Sequence, residues 1–192
     1  GALIGLAGAI GILLSGGAPP MAIVSVVPVT AFLLFWIGHR KYPVMNDITT
    51  DLDDPPAFVA ASSLAPNAKR DLAYKSFNVA MQREHYPGVK PLKTRAVPTV
   101  VFNVAKQAAE DFDWTLHASD DAERTYEAVS TDGQFQFRDD VSLRVRADGG
   151  VTTVDVRSKA RDGRADFGAN AQRIADLLAA IRVRLPADLE VE

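Results

Sequence analysis

The first 38 residues hold none of the chain's 21 Lys and Arg residues and none of its 24 Asp and Glu residues. Two apolar runs fill this stretch, GALIGLAGAIGILLS (1–15) and MAIVSVVPVTAFLLFWIG (21–38), with the breaker GGAPP between them. A helix that crosses a bilayer needs roughly 20 apolar residues, with about 17 as a lower limit. The second run meets that limit, and Trp36, His39, Arg40, Lys41 and Tyr42 follow as interface anchors. Pro28 within it is tolerable if neighbouring groups satisfy the freed carbonyl. The first run is short and reads as the end of a longer span. Together they predict a transmembrane helical hairpin over residues 1–42. Gly1, Gly5 and Ala9, with Gly11 on a second row between Ala7 and Ser15, repeat small side chains every four residues. That spacing suits close helix packing in lipid; simple abundance of Gly and Ala is the competing reading. A cleaved signal peptide competes for the first run, but no basic segment precedes it and a second apolar run follows. Arg40 and Lys41 would draw their end of the hairpin toward the cytoplasm.

Several chemistries are excluded by composition. A net charge of −3 leaves no global basic field for nucleic acid. There is no cysteine, so disulfides, thiolate metal sites and thiol nucleophiles are absent. His39, His85 and His117 are far apart and form no zinc-type pair. The acidic run Asp51, Asp53 and Asp54 invites a calcium loop, but counting from Asp51 the sixth and twelfth places hold Pro56 and Ser62 instead of Gly and Glu. Neither a metal nor a cofactor is expected. Pro43, Pro55, Pro56 and Pro66 predict an extended linker over residues 43–97, with a short helix near 68–85 and a turn over 86–92.

From residue 98 to 192 the periodicity predicts an α+β domain. Val101, Val104, Ala105, Ala108 and Phe112 recur at helical spacing over 99–112. Alternation then predicts four antiparallel strands, over 114–119, 124–130, 134–146 and 151–158. In the third, Phe135, Phe137, Val141, Leu143 and Val145 share a face, opposite Arg138, Asp140, Ser142, Arg144 and Arg146. Phe167, Ala171, Ile174, Leu178, Ile181 and Leu185 form the stripe of a last helix that Pro186 ends. The expected fold is a four-stranded antiparallel sheet with helices on its apolar face and a charged face toward water.

The densest stretch is VDVRSKARDGRADFGANAQRI, residues 154–174. Arg157, Arg161 and Arg164 are the candidate residues for an anion site at the N-terminus of the last helix. The competing reading is a structural corner made by Asp155, Gly163, Asp166, Gly168 and Asn170. In it Asp166 caps the helix, Gly163 takes a left-handed turn, and Asp155 and Arg157 pair across the charged sheet face with Arg144, Arg146 or Asp140. No catalytic residues emerge. Ser158 has no base nearby in sequence, and Asp139 and Asp140 alternate faces, so they make no dyad.

NDITTDLDDPPAF, FRDDVSLRVR and the corner stretch together resemble the family of domain of unknown function 1499, over about residues 45–185. The resemblance implies a small α+β domain, often behind membrane segments or lipoprotein signals and often extracytoplasmic. It implies no particular reaction. Some members carry a Cys-containing motif ahead of the domain, which this chain lacks. The expectation is a non-catalytic, membrane-anchored accessory subunit of an integral membrane complex, respiratory or photosynthetic, in contact with lipids. Its α+β domain would lie on the periplasmic side of a bacterial inner membrane. The alternatives are a domain that binds lipid or a small anion, and a hydrolase or transferase acting at the Arg/Asp corner.

Overall fold

The computed structural model describes residues 29–30, 32–33, 42–131 and 136–191. No helix among the described residues is long and apolar enough to cross a membrane. The expected transmembrane hairpin is therefore not part of the observed fold, and Gly1, Gly5, Ala9 and Gly11 lie outside the described residues. Pro43–Glu192 form one compact unit.

The sheet of that unit has seven strands, not four. They are β1 (Asp47–Thr49), β2 (Leu92–Thr94), β3 (Thr115–Asp120), β4 (Thr125–Thr131), β5 (Arg138–Asp148), β6 (Val151–Ala160) and β7 (Glu190–Val191). The helices are α1 (Val59–Ser62), α2 (Ser76–His85), α3 (Pro98–Glu110) and α4 (Ala169–Arg182). The order is β3-β4-β5-β6-β2-β7, and every pairing is antiparallel. β6 is ten residues long, and its outer edge is shared. β1 pairs with Arg157–Lys159 and β2 with Thr152–Val154. An open edge of that length would leave a row of unpaired backbone groups, which the two short strands satisfy. Both come from the stretch expected to be a linker. At two or three residues each, β1, β2 and β7 are too short to show alternation.

The core lies between one face of the sheet and the helices α3 and α4. Cross-strand neighbours Leu143 and Val156, and Val145 and Val154, meet Val101 and Phe102 of α3 and Ile174, Leu177 and Ile181 of α4. Each is at most 1% exposed. Such burial, at about 25 cal/mol per Å², is what holds the two helices down. Pro98 begins α3, where a missing N–H costs nothing. Phe137 and Phe167, expected in the apolar rows, are instead more than half exposed. Phe167 precedes α4 with a left-handed backbone, φ 52°. Phe135 lies outside the described residues.

The opposite face departs most from expectation. Asp140, Ser142, Asp155, Arg157 and Lys159 alternate with the core residues as the pattern predicts, yet all are buried. Residues 50–75 lie across them. The Ser142 hydroxyl donates to the Ala57 carbonyl at 2.8 Å, and Arg144 donates to that of Asp54 at 2.6 Å. Arg70 reaches the Ala160 carbonyl from the cover side at 2.7 Å.

Candidate functional site

The covered face is an array of ion pairs. β1 sets Asp47 opposite Lys159 and Thr49 opposite Arg157. The fully buried Asp47 carboxylate accepts from Arg157 Nε at 2.9 Å and Nη2 at 2.8 Å, and from Lys159 Nζ at 2.7 Å. Arg157 also donates to the carbonyls of Leu72 at 2.7 Å and Pro56 at 3.3 Å. Its guanidinium carbon lies 4.7 Å from the Phe58 ring centre and 5.4 Å from that of Tyr74. Burial, aided by the Asp47 charge, pushes the Tyr74 phenol well above its ordinary range, so it stays protonated and donates to Gln82 Oε1 at 2.8 Å.

Asp140 forms the second pair. Its Oδ1 accepts from Arg161 Nε at 2.9 Å and Nη2 at 2.6 Å. Its Oδ2 accepts from Asn67 Nδ2 at 3.1 Å, with Arg70 at 3.5 Å. Asp155 forms the third, with Oδ2 accepting from Arg146 Nη2 at 2.7 Å and Nε at 3.2 Å. Arg146 continues to Asp51 at 2.6 Å and Asp54 at 3.1 Å. Asp51 Oδ1 accepts the N–H groups of Asp53 and Asp54, so the acidic run is a turn held by its own first residue. Among the described residues, no group of three or more His, Asp or Glu side chains could hold a metal ion.

Glu127 of β4 is the fourth anchor. Its carboxylate accepts the N–H groups of Val59, Ala60 and Ala61 at 2.8, 2.9 and 2.9 Å. It thus satisfies the free donors of α1, whose own flank supplies no side-chain cap.

The three arginines of the corner go to different places. Arg157 engages Asp47, Arg161 engages Asp140, and Arg164 is exposed. They do not gather around the start of α4. That helix start is taken by Asp166, which accepts from the N–H of Gly168 at 2.9 Å, the N–H of Asn170 at 3.1 Å and Asn170 Nδ2 at 2.6 Å. The residue flanking α4 is Gly168 in a left-handed conformation, φ 89°, so Asp166 caps from two residues further out. Gly163 also takes a positive φ, 77°, a turn position costly for other residues. On the core side, Ser158 donates to Asn170 Oδ1 at 2.6 Å and accepts from Arg173 at 3.0 Å. Arg173 also pairs with Asp139 at 2.6 Å. Ser158 therefore has no base to activate it. Asp139 and Asp140 occupy opposite faces.

Two expected outcomes follow from this geometry. Asp166→Ala should lower the stability of the chain by about 1 kcal/mol, as loss of a capping carboxylate does. Chemical unfolding measures it, and an unchanged midpoint would separate Asp166 from α4. The second concerns pH. Burial raises Asp155 above its ordinary value of 3.8, outweighing the bond and charge of Arg146 that pull it down. Burial also acts on Asp51, but the Asp54 N–H, Arg146 and the Asp53 N–H together bring it below 3.8. Carbon-detected carboxyl titration should find Asp51 deprotonating first. The two act on stability with opposite signs. The contribution of Asp155 is complete below 3.8 and lost as pH rises through its raised native value. That of Asp51 is present above 3.8 and lost as pH falls through its lowered native value. Asp155→Asn should remove the first loss and keep the second. The reverse order of titration would contradict the burial of Asp155.

Sequence reasoning missed Asp47, Glu127, Phe58 and Tyr74. What the fold and site define is an α+β domain on an antiparallel sheet, with helices on one face and an ion-paired polypeptide cover on the other. The family model described as "Protein of unknown function (DUF1499)" matches residues 47–181, more than half of the chain, and the chain belongs to that family. The matched region begins at the first residue of β1 and ends within α4, so it takes in the cover as well as the sheet. No curated protein matches the chain.

Proposed function

We propose that the protein acts by binding, as a non-catalytic accessory subunit of a larger assembly. The observation that carries this is the state of the cations at the corner. Arg157, Arg161 and Arg173 each rest on a carboxylate, at 2.8, 2.6 and 2.6 Å. A hydrolase or transferase working there would need one of these cations free to stabilise charge that develops on a substrate, and the remaining corner arginine, Arg164, lies exposed to solvent, where such stabilisation is weak. It would also need an activated nucleophile, and Ser158 is tied to Asn170 and Arg173. Side chains arranged this way fix a shape, and a fixed shape suits recognition. The uncharged composition of residues 1–38 supports a partner with apolar surface, an integral membrane protein or lipid.

The test is extraction of the intact chain from its native cells in mild detergent, followed by mass spectrometry of what accompanies it. The expected result is a fixed set of partner proteins at constant stoichiometry. A chain that runs as a lone monomer under those conditions would remove the accessory role.

A further inference from the structure

Arg157 forms the floor of an open cleft of about 540 Å³. Its walls include Leu52, Phe58, Leu72, Tyr74 and Val79. The polar side chains of the lining are Ser76, Tyr74, whose phenol is bonded to Gln82, the exposed Asp53 at the rim, which sits 3.6 Å from Arg83, and Arg157 itself.

Two features of Arg157 remain after its structural role is accounted for. The first is a donor. A guanidinium has five N–H bonds, and four have acceptors: two on Asp47 and one each on the carbonyls of Leu72 and Pro56. The fifth, on Nη1, has no acceptor among the described residues. Arg157 is only 3% exposed, so a donor left without an acceptor there is costly unless something enters the cleft to meet it.

The second feature is charge. Asp47 is one carboxylate shared by two cations, Arg157 and Lys159. Asp71 also acts on Lys159, but Asp71 is itself paired with Lys75. Counting Asp47, Asp71 and the rim residue Asp53 against Arg157, Lys159, Lys75 and Arg83, which pairs with Asp53, the cluster keeps one positive charge in excess. Excess charge beside a low-dielectric wall favours an anion.

The geometry points to a binding site for a small amphipathic monoanion, a carboxylate with an apolar tail. Its head accepts from Arg157 Nη1, and its tail lies along Leu52, Leu72 and Val79. The rings of Phe58 and Tyr74, both within cation–π distance, help to hold the guanidinium in place. Asp53 at the rim disfavours highly charged ligands. The cleft is lined by this chain's own residues, so it stands or falls separately from the accessory role.

The experiment is calorimetric titration of the purified full chain with three probes: hexanoate, hexanamide and acetate. Hexanoate should bind saturably, with hexanamide and acetate each at least about tenfold weaker, since one lacks the charge and the other the tail. Arg157→Gln should lose hexanoate binding, but it also disturbs the Asp47 pair. The exposed Ala73, in the wall of the cleft, supplies the second variant. Ala73→Phe fills the space without touching an ion pair. It should abolish hexanoate binding while leaving the unfolding midpoint in place. No saturable heat with hexanoate, equal affinity for hexanamide, or undiminished binding by Ala73→Phe would overturn the site.

Discussion

Asp47→Ala should cost the chain about 3–5 kcal/mol, the loss expected when one partner of a buried pair is removed. Domains of this size are stable by only about 5–15 kcal/mol, so the variant should unfold near ordinary temperatures or fail to accumulate. The reason is not the strength of the lost bonds. Asp47 is fully buried, and without it Arg157 and Lys159 remain in the interior with no carboxylate between them. Asp47→Asn should be nearly as damaging, because its amide nitrogen would face a donor of Arg157 and the two buried cations would be left without a carboxylate. Replacing the group together, with Asp47→Leu, Arg157→Met and Lys159→Met, should recover part of the stability, because apolar side chains need no partner, while the Leu72 and Pro56 carbonyls lose their donor. Urea unfolding of the three variants decides it. A loss of under about 1 kcal/mol in Asp47→Ala would mean that water reaches the pair and that the cover is open.

Glu127→Ala should cost about 2–4 kcal/mol, since it strands three N–H groups that its carboxylate now accepts. α1 has four residues, too few to form a stable helix alone. Asn67 ties it to the sheet as well, donating to both Ala61 and Asp140. The loss should therefore fall short of three full penalties, because α1 can fray and let water solvate the freed groups. Hydrogen exchange separates the two parts of the effect. The amides of Val59, Ala60 and Ala61 should lose protection by more than the global destabilisation accounts for. Equal changes at these amides and in the centre of β5 would show that α1 does not depend on Glu127.

The sheet was legible in the sequence wherever alternation ran long enough. Val141, Leu143 and Val145 against Asp140, Ser142 and Arg144 announce both faces of β5, and Val154 and Val156 do the same for β6. Asp166 was readable as a capping residue because it lies close in sequence to the amides it serves. The cover was not readable. Its prolines, Pro55 and Pro56, argue against a helix, which is correct, but a rigid irregular segment can pack as firmly as a regular one. Its partners are also distant. Asp47 and Arg157 are 110 residues apart, and no local pattern records such a pairing. One trace was present. A sheet face carrying Asp140, Arg144, Arg146, Asp155, Arg157 and Lys159 has an excess of basic side chains, and Asp47, Asp51, Asp53 and Asp54 are concentrated upstream. Complementary charge at that density marks a face and the segment that lies on it.

The central claim is that residues 50–75 close over the charged face and hold the bond between Arg157 Nε and Asp47 out of water, beneath the cleft that reaches Nη1. Solvent exchange of the arginine Nε–H protons tests this most directly, with the exposed Arg164 as an internal reference. The Arg157 proton, bonded to Asp47 Oδ1 at 2.9 Å, should exchange many-fold more slowly than that of Arg164. Exchange of Arg157 as fast as Arg164 would contradict the closed face, and the architectural account of the corner with it.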